Sequence, residues 1–266
     1  MRQDKLNTAK TLFAVLAFVA LNASAQNAST GPNKVYIEQI GDSNTITIQQ
    51  VGGTNNVGGT AGNTVVGGTG VTTLTPDAPS ASNYATVSGS SNQVTINQAG
   101  DNNSAQYNIK GSNNAYSSTV TGNNNQTKLT IGTANTAISG GSVTETITGD
   151  NNLLITNIQA ANVTSSISVT GSTNQVTSDL TSAKGNSTIS ITGGNNIINA
   201  EQSGAAGANG HVLVNTINTG DYNSITTQQQ GSIDTTVNIQ TNGSHNTITV
   251  RSSDSAIVNS KTAIAR

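Results

Sequence analysis

Short runs in which apolar and polar residues alternate recur along most of the chain. In the run after Asn44, the residues Ile46, Ile48 and Gln50 occupy one face of an extended segment, and threonines occupy part of the other. A period of two over short runs rich in β-branched residues predicts β-strands, and the apolar face of each strand is expected to point inward. The same alternation defines further inward sets: Asn92, Val94, Ile96 and Gln98; Asn103, Ala105, Tyr107 and Ile109; Asn196, Ile198, Ala200 and Gln202; and Asn223, Ile225, Thr227 and Gln229.

A tetrad, G-x-x-N, separates these runs. It recurs every 11 residues from Gly89 to Gly122, and every 22 residues from Gly149 to Gly193. Glycine and asparagine tolerate positive φ, and asparagine can hydrogen-bond its own backbone, so the tetrad predicts a tight turn. The repeating unit is therefore one strand and one turn. Copies begin at Gly41, Gly89, Gly100, Gly111, Gly122, Gly149, Gly171, Gly193, Gly220 and Gly243.

Two units make one coil of a β-solenoid. The sequence thus predicts an all-β fold with about 22 residues and two short strands per coil, and roughly eight or nine coils. Equal positions in successive coils stack about 4.8 Å apart, and stacked carboxamides satisfy one another as ladders. A single coil buries too little surface to fold alone. The predicted stacking positions are Asn44, Gln50, Asn92, Gln98, Asn103, Asn196, Gln202 and Asn223, with Ile46, Ile48, Val94 and Ile96 as apolar rungs and Gly41, Gly89, Gly100 and Gly111 in the turns.

Residues 1–25 have the features of a secretory signal peptide. The basic residues Arg2, Lys5 and Lys10 precede an apolar run over 12–21, and an A-x-A cleavage signal follows at 23–25. The apolar run is too short to cross a bilayer as a helix. We therefore expect a secreted protein without stable membrane insertion.

The pattern divides the remaining chain into four segments. Residues 26–56 hold one N-terminal coil, and 57–82 form a Gly/Thr/Pro-containing insertion or flexible linker. Residues 83–250 are the main repeat array. Residues 251–266 are more charged and form a degenerate last repeat or a cap, because charge at a sheet end blocks unwanted pairing.

Two places inside the array interrupt the repeat. The tetrad spacing lengthens near 135–149, and a kink is expected at 204–209. Near the first interruption, Glu145 falls on the inward face, two residues from Val143 and two from Ile147. A carboxylate in that position is unusual, because burying a charge is unfavourable.

Composition agrees with a repeat rather than a globule. Of 266 residues, 33% are hydrophobic and 8% are charged, against about 45–50% and about 25% in ordinary domains. The low apolar content argues against a large compact core, and the low charge argues against a conventional disordered tail. The chain has no cysteine, so no disulfide stabilises it. It also has no basic patch, so nucleic acid is not expected as a partner.

Candidate chemistry is sparse. The two histidines, His211 and His245, have no nearby ligand partners and are expected to be turn or surface residues. Aspartate follows the turn glycine in several tetrads, but one aspartate per turn falls far short of the six to eight oxygens that Ca²⁺ takes. No nucleophile, phosphate-loop or zinc-protease motif is present. We therefore expect no catalytic residue, no metal and no cofactor.

The segment 31–50 resembles a curlin repeat, in which an apolar residue and Gln precede the turn, Gly and Asn bound it, and a second Gln ends the strand. Gln39, Gly41, Asn44 and Gln50 occupy those positions. The segment 92–114 matches again through Gln98, Gly100 and Asn103. The resemblance implies an extracellular, amyloid-forming fibre subunit on the bacterial cell surface, with roles in adhesion and biofilm matrix. It further implies export through an outer-membrane channel, assembly accessory proteins, and related curlin-like subunits as partners.

The chain also departs from that family. Aliphatic residues replace Gln before several turns, at Ile109, Val120, Ile147 and Val169, and the last stretch resembles the degenerate final repeat of the family's minor, nucleating subunit.

Two alternatives to a fibre remain at this stage. One is a monomeric β-solenoid adhesin, and the other is an ice-binding or surface-binding solenoid with T-x-T rows. The pairs Thr45/Thr47 and Thr247/Thr249 fit the second, but T-x-T does not recur in every coil, which predicts no continuous threonine array.

Overall fold

The computed structural model describes residues 31–58, 84–133, 135–204, 210–253 and 257–263. The predicted signal peptide and most of the predicted 57–82 insertion lie outside the described residues. The described residues form β-strands and no helix, which confirms the all-β prediction.

The strands are short, and most have six or seven residues. In chain order they are β1 Lys34–Val35, β2 Ile37–Ile40, β3 Thr45–Val51, β4 Asn56–Gly58, β5 Ala85–Ser88, β6 Gln93–Ala99, β7 Ser104–Lys110, β8 Ala115–Thr121, β9 Gln126–Ile131, β10 Ser142–Thr148, β11 Leu153–Ile158, β12 Thr164–Thr170, β13 Gln175–Leu180, β14 Asn186–Thr192, β15 Ile197–Ser203, β16 Val212–Thr219, β17 Ser224–Gln230, β18 Thr236–Asn242, β19 Thr247–Ser253 and β20 Ile257–Ala263.

Successive strands alternate between two parallel sheets. The nine-stranded sheet has the order β20-β18-β16-β14-β12-β10-β8-β6-β3, and the eleven-stranded sheet has the order β1-β4-β7-β9-β11-β13-β15-β17-β19, with β2 and β5 beside this path. Each coil adds one strand position to each sheet. The result is a β-solenoid of about eight turns with about 23 residues per coil, which confirms the predicted architecture.

Register is kept where the chain lengthens a coil between β9 and β10. Between β9 and β10 the chain departs from the stack at Gly132 and returns at Ile138, whose N–H donates to the carbonyl of Lys110 at 2.8 Å. The two ladder positions that flank this loop, Asn125 and Asn152, are 27 residues apart instead of 22. The interruption predicted near 135–149 is thus an outward loop that leaves the strand pairing intact.

Strands β4 and β5 together occupy a single strand position of the eleven-stranded sheet. Gly58 lies opposite Gln106, and Thr86 lies opposite Asn108, so β4 and β5 together face the one strand β7. On the other side of the same coil, β3 pairs with β6 in register from Thr45↔Gln93 onward. The N-terminal coil therefore stacks directly on the main array.

The inward faces of the two sheets form a continuous core. Its aliphatic residues stack in rows along the solenoid, and each residue lies above its equivalent in the next coil. The apolar residues named from the sequence lie on this inward face: Ile48, Val94 and Ile96 are buried, and Ile46 is partly buried. Two tyrosines, Tyr107 and Tyr116, add bulk near the N-terminal half, with ring centroids 6.2 Å apart.

We predict that deletion of residues 59–84 preserves the fold. Joining Gly58 to Ala85 places Ala85 opposite Tyr107, between the pairs that Gly58 and Thr86 already make. The coil then has the ordinary 22 residues, because Gln50 and Gln98 are now 48 apart and the deletion removes 26. Circular dichroism and chemical unfolding should match those of the full chain within about 1 kcal/mol.

Deletion of residues 59–83 is the matched control. It leaves one extra residue in the strand, which must bulge or shift every later side chain in β5 to the opposite face. If both deletion variants are destabilised equally, the inserted segment is part of the folded unit and the prediction is wrong.

Candidate functional site

The asparagines that close the turns on one side of the solenoid form a single column, here called the long ladder. From Asn125 onward, each Nδ2 donates to the Oδ1 of the previous coil's asparagine at 2.9–3.2 Å. Asn55 and Asn33 extend the column towards the N-terminus. The backbone N–H of Asn103 donates to Asn55 Oδ1, and the backbone N–H of Asn55 donates to Asn33 Oδ1. The members of the long ladder are Asn33, Asn55, Asn103, Asn125, Asn152, Asn174, Asn196, Asn223 and Asn246.

The four central asparagines of the long ladder, Asn125, Asn152, Asn174 and Asn196, have all their carboxamide hydrogen-bonding groups satisfied. The Nδ2 of Asn174 donates to Asn152 Oδ1 at 3.1 Å and to the carbonyl of Gly193 at 2.8 Å. Its Oδ1 accepts from the backbone N–H of Asn196 at 3.0 Å and from the Nδ2 of Asn196 at 3.1 Å. A buried carboxamide without such partners is strongly destabilising. The ladder therefore stabilises the fold only when coils lie on both sides.

A second column on the opposite side, the short ladder, contains Asn44, Asn92 and Asn114. Asn92 donates to Asn44 Oδ1, and Asn114 donates to Asn92 Oδ1, each at 3.0 Å. Asn114 Oδ1 then accepts from the backbone N–H of Gly141 at 2.8 Å, where the asparagines of the column end. Of the stacking asparagines named from the sequence, Asn44 and Asn92 lie in the short ladder, and Asn103, Asn196 and Asn223 lie in the long one.

His211 takes an asparagine-like position further along the short-ladder side. It is buried, and its Nδ1 accepts the backbone N–H of Thr235 at 3.3 Å and lies 2.9 Å from Thr235 Oγ1. Its Nε2 lies 3.2 Å from the carbonyl of Ser203. The expectation that His211 is a turn or surface residue is wrong, because its side chain is buried. The sequence reasoning missed it because no tetrad marks this turn. His245 does lie in a turn, with its ring stacked on Tyr222.

The predicted glutamines form two separate pairs. Gln50 Nε2 donates to Gln98 Oε1 at 2.8 Å in the nine-stranded sheet. Gln202 Nε2 donates to Gln229 Oε1 at 2.9 Å in the eleven-stranded sheet. In the coils between, aliphatic residues fill the same rows: Val120, Ile147, Val169 and Ile191 follow Gln98, and Ile109, Ile131, Ile158 and Leu180 precede Gln202.

Two independent constraints, a positive φ and close contact with the next coil, require glycine in these turns. Gly41, Gly89, Gly100 and Gly111 all have φ between 107° and 135°. A Cβ on Gly89 would also lie 1.9 Å from the carbonyl oxygen of Gly111 in the next coil. The close stacking of turn on turn, which the ladder amides need, therefore excludes any side chain at this position.

We predict that Gly193→Ala destabilises the fold by several kcal/mol. Gly193 has φ 126°, and its Cβ would meet the carbonyl oxygen of Gly220 at 2.1 Å. The neighbouring Gly194→Ala is the control, because the nearest atom to its Cβ is the Ser172 carbonyl oxygen at 3.1 Å and its φ is not positive. Urea unfolding of both variants checks this, and equal midpoints would contradict the role given to the turn glycine.

One carboxyl group is buried in the core. Glu145 is 1% exposed; Tyr116 Oη donates to its Oε2 at 2.8 Å, and Thr156 Oγ1 donates to its Oε1 at 3.0 Å. Among the described residues, no Lys, Arg or His faces it from the neighbouring inward rows, which hold Ser118, Ile167, Tyr116, Val143 and Ile147 on its own sheet and Leu129, Leu154 and Thr156 opposite. Burial raises the pKa of Glu145 to about 7, against an ordinary 4.5, although its two hydrogen bonds oppose the shift.

Because the pKa of Glu145 is raised in the fold, we predict that stability falls as the pH rises. The folded chain binds a proton that the unfolded chain releases between pH 4.5 and about 7, so the stabilisation present below pH 4.5 is lost above 7. The difference is about 3 kcal/mol. Urea unfolding at pH 4.5 and pH 8 measures it.

Two variants identify the carboxyl group that causes this pH dependence of stability. Glu145→Gln removes the titration while keeping the size of the side chain; its Oε1 can accept from one of the two hydroxyls and its Nε2 can donate to the oxygen of the other. Most of the pH dependence should therefore disappear. Asp179→Asn is the companion, because burial and the neighbouring Glu201 raise the pKa of Asp179 to about 6 on the outer face. A Glu145→Gln variant with an unchanged pH slope would show that Glu145 is not its source.

Turn aspartates bond with the next coil. Asp101, Asp150 and Asp221 each accept a backbone N–H of the preceding coil's turn through Oδ1, at 2.6–2.7 Å. Within the part of the chain that the structure describes, no group of three or more His, Cys, Asp or Glu residues could hold a metal ion. That part also contains no helix of the length and apolarity that a bilayer crossing requires.

The outward side of the nine-stranded sheet carries rows that sequence reasoning missed. Thr45/Thr47 lie on this sheet, whereas Thr247/Thr249 lie on the other. Serine and threonine together line four adjacent strands, and one row, Thr121, Thr148, Thr170 and Thr192, consists of threonine alone, although T-x-T does not recur in every coil. These outward residues are Ser117, Thr119 and Thr121; Thr144, Thr146 and Thr148; Ser166, Ser168 and Thr170; and Thr188, Ser190 and Thr192.

Comparisons with known proteins add no relative. The chain matches no protein-family model, no curated protein and no solved structure.

Proposed function

We propose that this chain is a secreted structural protein that self-assembles, end to end, into curli-like amyloid fibres. The observation that carries the proposal is the arrangement of the ends. Among the described residues, β3 and β20 each pair with one neighbour at opposite ends of the nine-stranded sheet, and β1 and β19 do so in the eleven-stranded sheet. A terminal strand offers unpaired N–H and C=O groups to which another chain can add.

The two ends of the long ladder are complementary. From Asn103 to Asn223, the Oδ1 of each asparagine accepts two N–H donors from the following coil, as Asn196 accepts from Asn223. Asn246 is the last member, so its Oδ1 is the acceptor that a following coil would use. Asn33, the first member, carries the corresponding N–H donors. A second copy placed after Asn246 continues the ladder in the same direction.

The rows behind the ladders also permit continuation. Both sheets are parallel, and their register is interrupted between β16 and β18 by a shift between Ile217 and Thr219, so a second copy meets strands of the same direction and pitch. Charge is low, at 8% of residues, and like charges therefore rarely stack from coil to coil. The backbone of β20 extends the nine-stranded sheet in register with β18, so the segment 251–266 supplies a further strand at this end.

The biological role follows from the motif resemblance and the predicted signal peptide. A curlin-like fibre outside the bacterial cell serves adhesion and the biofilm matrix, and an outer-membrane channel and accessory proteins deliver its subunits. A nucleating role for the C-terminal segment is part of this proposal. Few ionisable groups and no predicted catalytic motif favour a structural role over an enzymatic one.

We predict that purified residues 26–266 form fibres that bind thioflavin and give a meridional reflection near ~4.7 Å. Asn246→Ala should slow elongation several-fold from wild-type seeds, because it removes the acceptor at the growing end. The matched control is Thr249→Ala, an exposed residue on β19, which should elongate at the wild-type rate.

Two outcomes decide against the proposal. A chain that stays monomeric for days and gives no such reflection is not a fibre subunit and is instead a monomeric adhesin. Fibres that elongate equally well with Asn246→Ala would show that the ladder end does not template growth.

A further inference from the structure

The two sheets carry charge very differently. Every charged residue on an outward strand position from β1 to β19 lies on the eleven-stranded sheet: Lys34, Glu38, Lys110, Lys128, Asp179, Glu201 and Arg251. On the nine-stranded sheet, no described outward residue from β3 to β18 is charged. We call this outward surface, from β3 to β18, the neutral face.

The side chains of the neutral face are short and stack in register at its centre. One row runs Thr121, Thr148, Thr170, Thr192, and another runs Ser117, Thr144, Ser166, Thr188. Successive members are about 4.8 Å apart. None of the outward residues of the neutral face is buried, so this face is accessible in the single chain.

These properties suit a second copy of the same face. A hydroxyl is both a donor and an acceptor, so two identical hydroxyl rows can bond to each other without a complementary partner. No charge has to leave water when the faces meet. Short side chains also allow two sheets to approach to about 10 Å, as in the dry interfaces between paired sheets of cross-β fibres.

The size of the face is sufficient for a stable contact. Eight strands at about 4.8 Å, with seven residues each at about 3.3 Å, give a flat area on the order of 800 Å² per copy. A standard protein interface buries about 800 Å² from each partner. In a fibre of end-to-end copies, the neutral faces of successive subunits are aligned, with β20 and its Lys261, which pairs with Gln240, between one face and the next. The contact then repeats once per subunit along the fibre.

We propose that the neutral face is the surface through which a second copy packs, sheet against sheet, so that fibres associate laterally in pairs. The fibre form of this inference rests on the proposed end-to-end assembly. The charged outward face of the eleven-stranded sheet then remains in water on both sides of the pair. The neutral face pairs with another copy, and the charged face stays solvated. This division explains why the charged residues lie on one sheet.

The test places two charges on the neutral face without changing the core. Thr146→Lys with Ser190→Lys puts them on β10 and β14, two strands apart. The matched control, Thr177→Lys with Thr226→Lys, puts them at outward positions of β13 and β17 in the eleven-stranded sheet. Elongation from seeds and mass per length, by electron microscopy, are measured for both variants and for wild type.

We expect all three chains to elongate at similar rates. Wild type and the control should have twice the mass per length of the neutral-face variant. Unpaired wild-type fibres, or paired fibres of the neutral-face variant, would overturn the inference while leaving end-to-end assembly intact.

A separate outcome covers failure of assembly itself. If no chain forms fibres, sedimentation of the soluble protein should still give a wild-type dimer that the neutral-face charges dissociate. A wild-type monomer at all concentrations overturns the inference. If that monomer instead inhibits ice recrystallisation, and Thr146→Lys with Ser190→Lys abolishes the inhibition, the neutral face is an ice-binding surface.

Discussion

A carboxamide buried in a turn needs acceptors for both of its hydrogens and donors for its oxygen, and in this solenoid only the neighbouring coils supply them. Asn174 shows the full set, with contacts to Asn152 on one side and to Asn196 and Gly193 on the other. Any slip of one coil against the next would leave these groups unpaired at once. The ladder therefore sets the register, and the alignment of the aliphatic rows behind it follows from the same register.

The ladder in turn explains the composition of the chain. Its amides reach the next turn only because that turn lies close, and the closeness is what excludes a Cβ at Gly89 and its equivalents. Since hydrogen bonding fixes the alignment, each coil needs few apolar residues, and the interior tolerates polar ones such as Ser165 and Ser187. Glu145 is the extreme case, because it stays buried by sharing its oxygens with Tyr116 and Thr156 and by keeping a proton through mildly acidic pH.

Periodicity made the coil and its asparagines predictable, since a stack of equal units repeats its sequence constraints. What it could not reveal depends on three-dimensional neighbours. His211 replaces an asparagine through its ring nitrogens, and no sequence spacing marks such a substitution. That Gly58 and Thr86 belong to one strand position is visible only through their pairing with Gln106 and Asn108. The hydroxyl rows do not follow from T-x-T spacing, because serine replaces threonine at several outward positions.

A stack built by translation has no intrinsic last member, because each coil leaves the next one the same donors and acceptors that it used itself. Growth along the axis is then limited only by what the terminal coils present, and here both sheets end in strands with one paired neighbour. Sideways contact is governed separately, by the outward residues that the ladders leave free to vary. In the proposed paired fibre, hydroxyls on one sheet favour association on that side, and charge on the other sheet opposes it there. A single repeat can thus set axial order through its turns and lateral order through its outward positions.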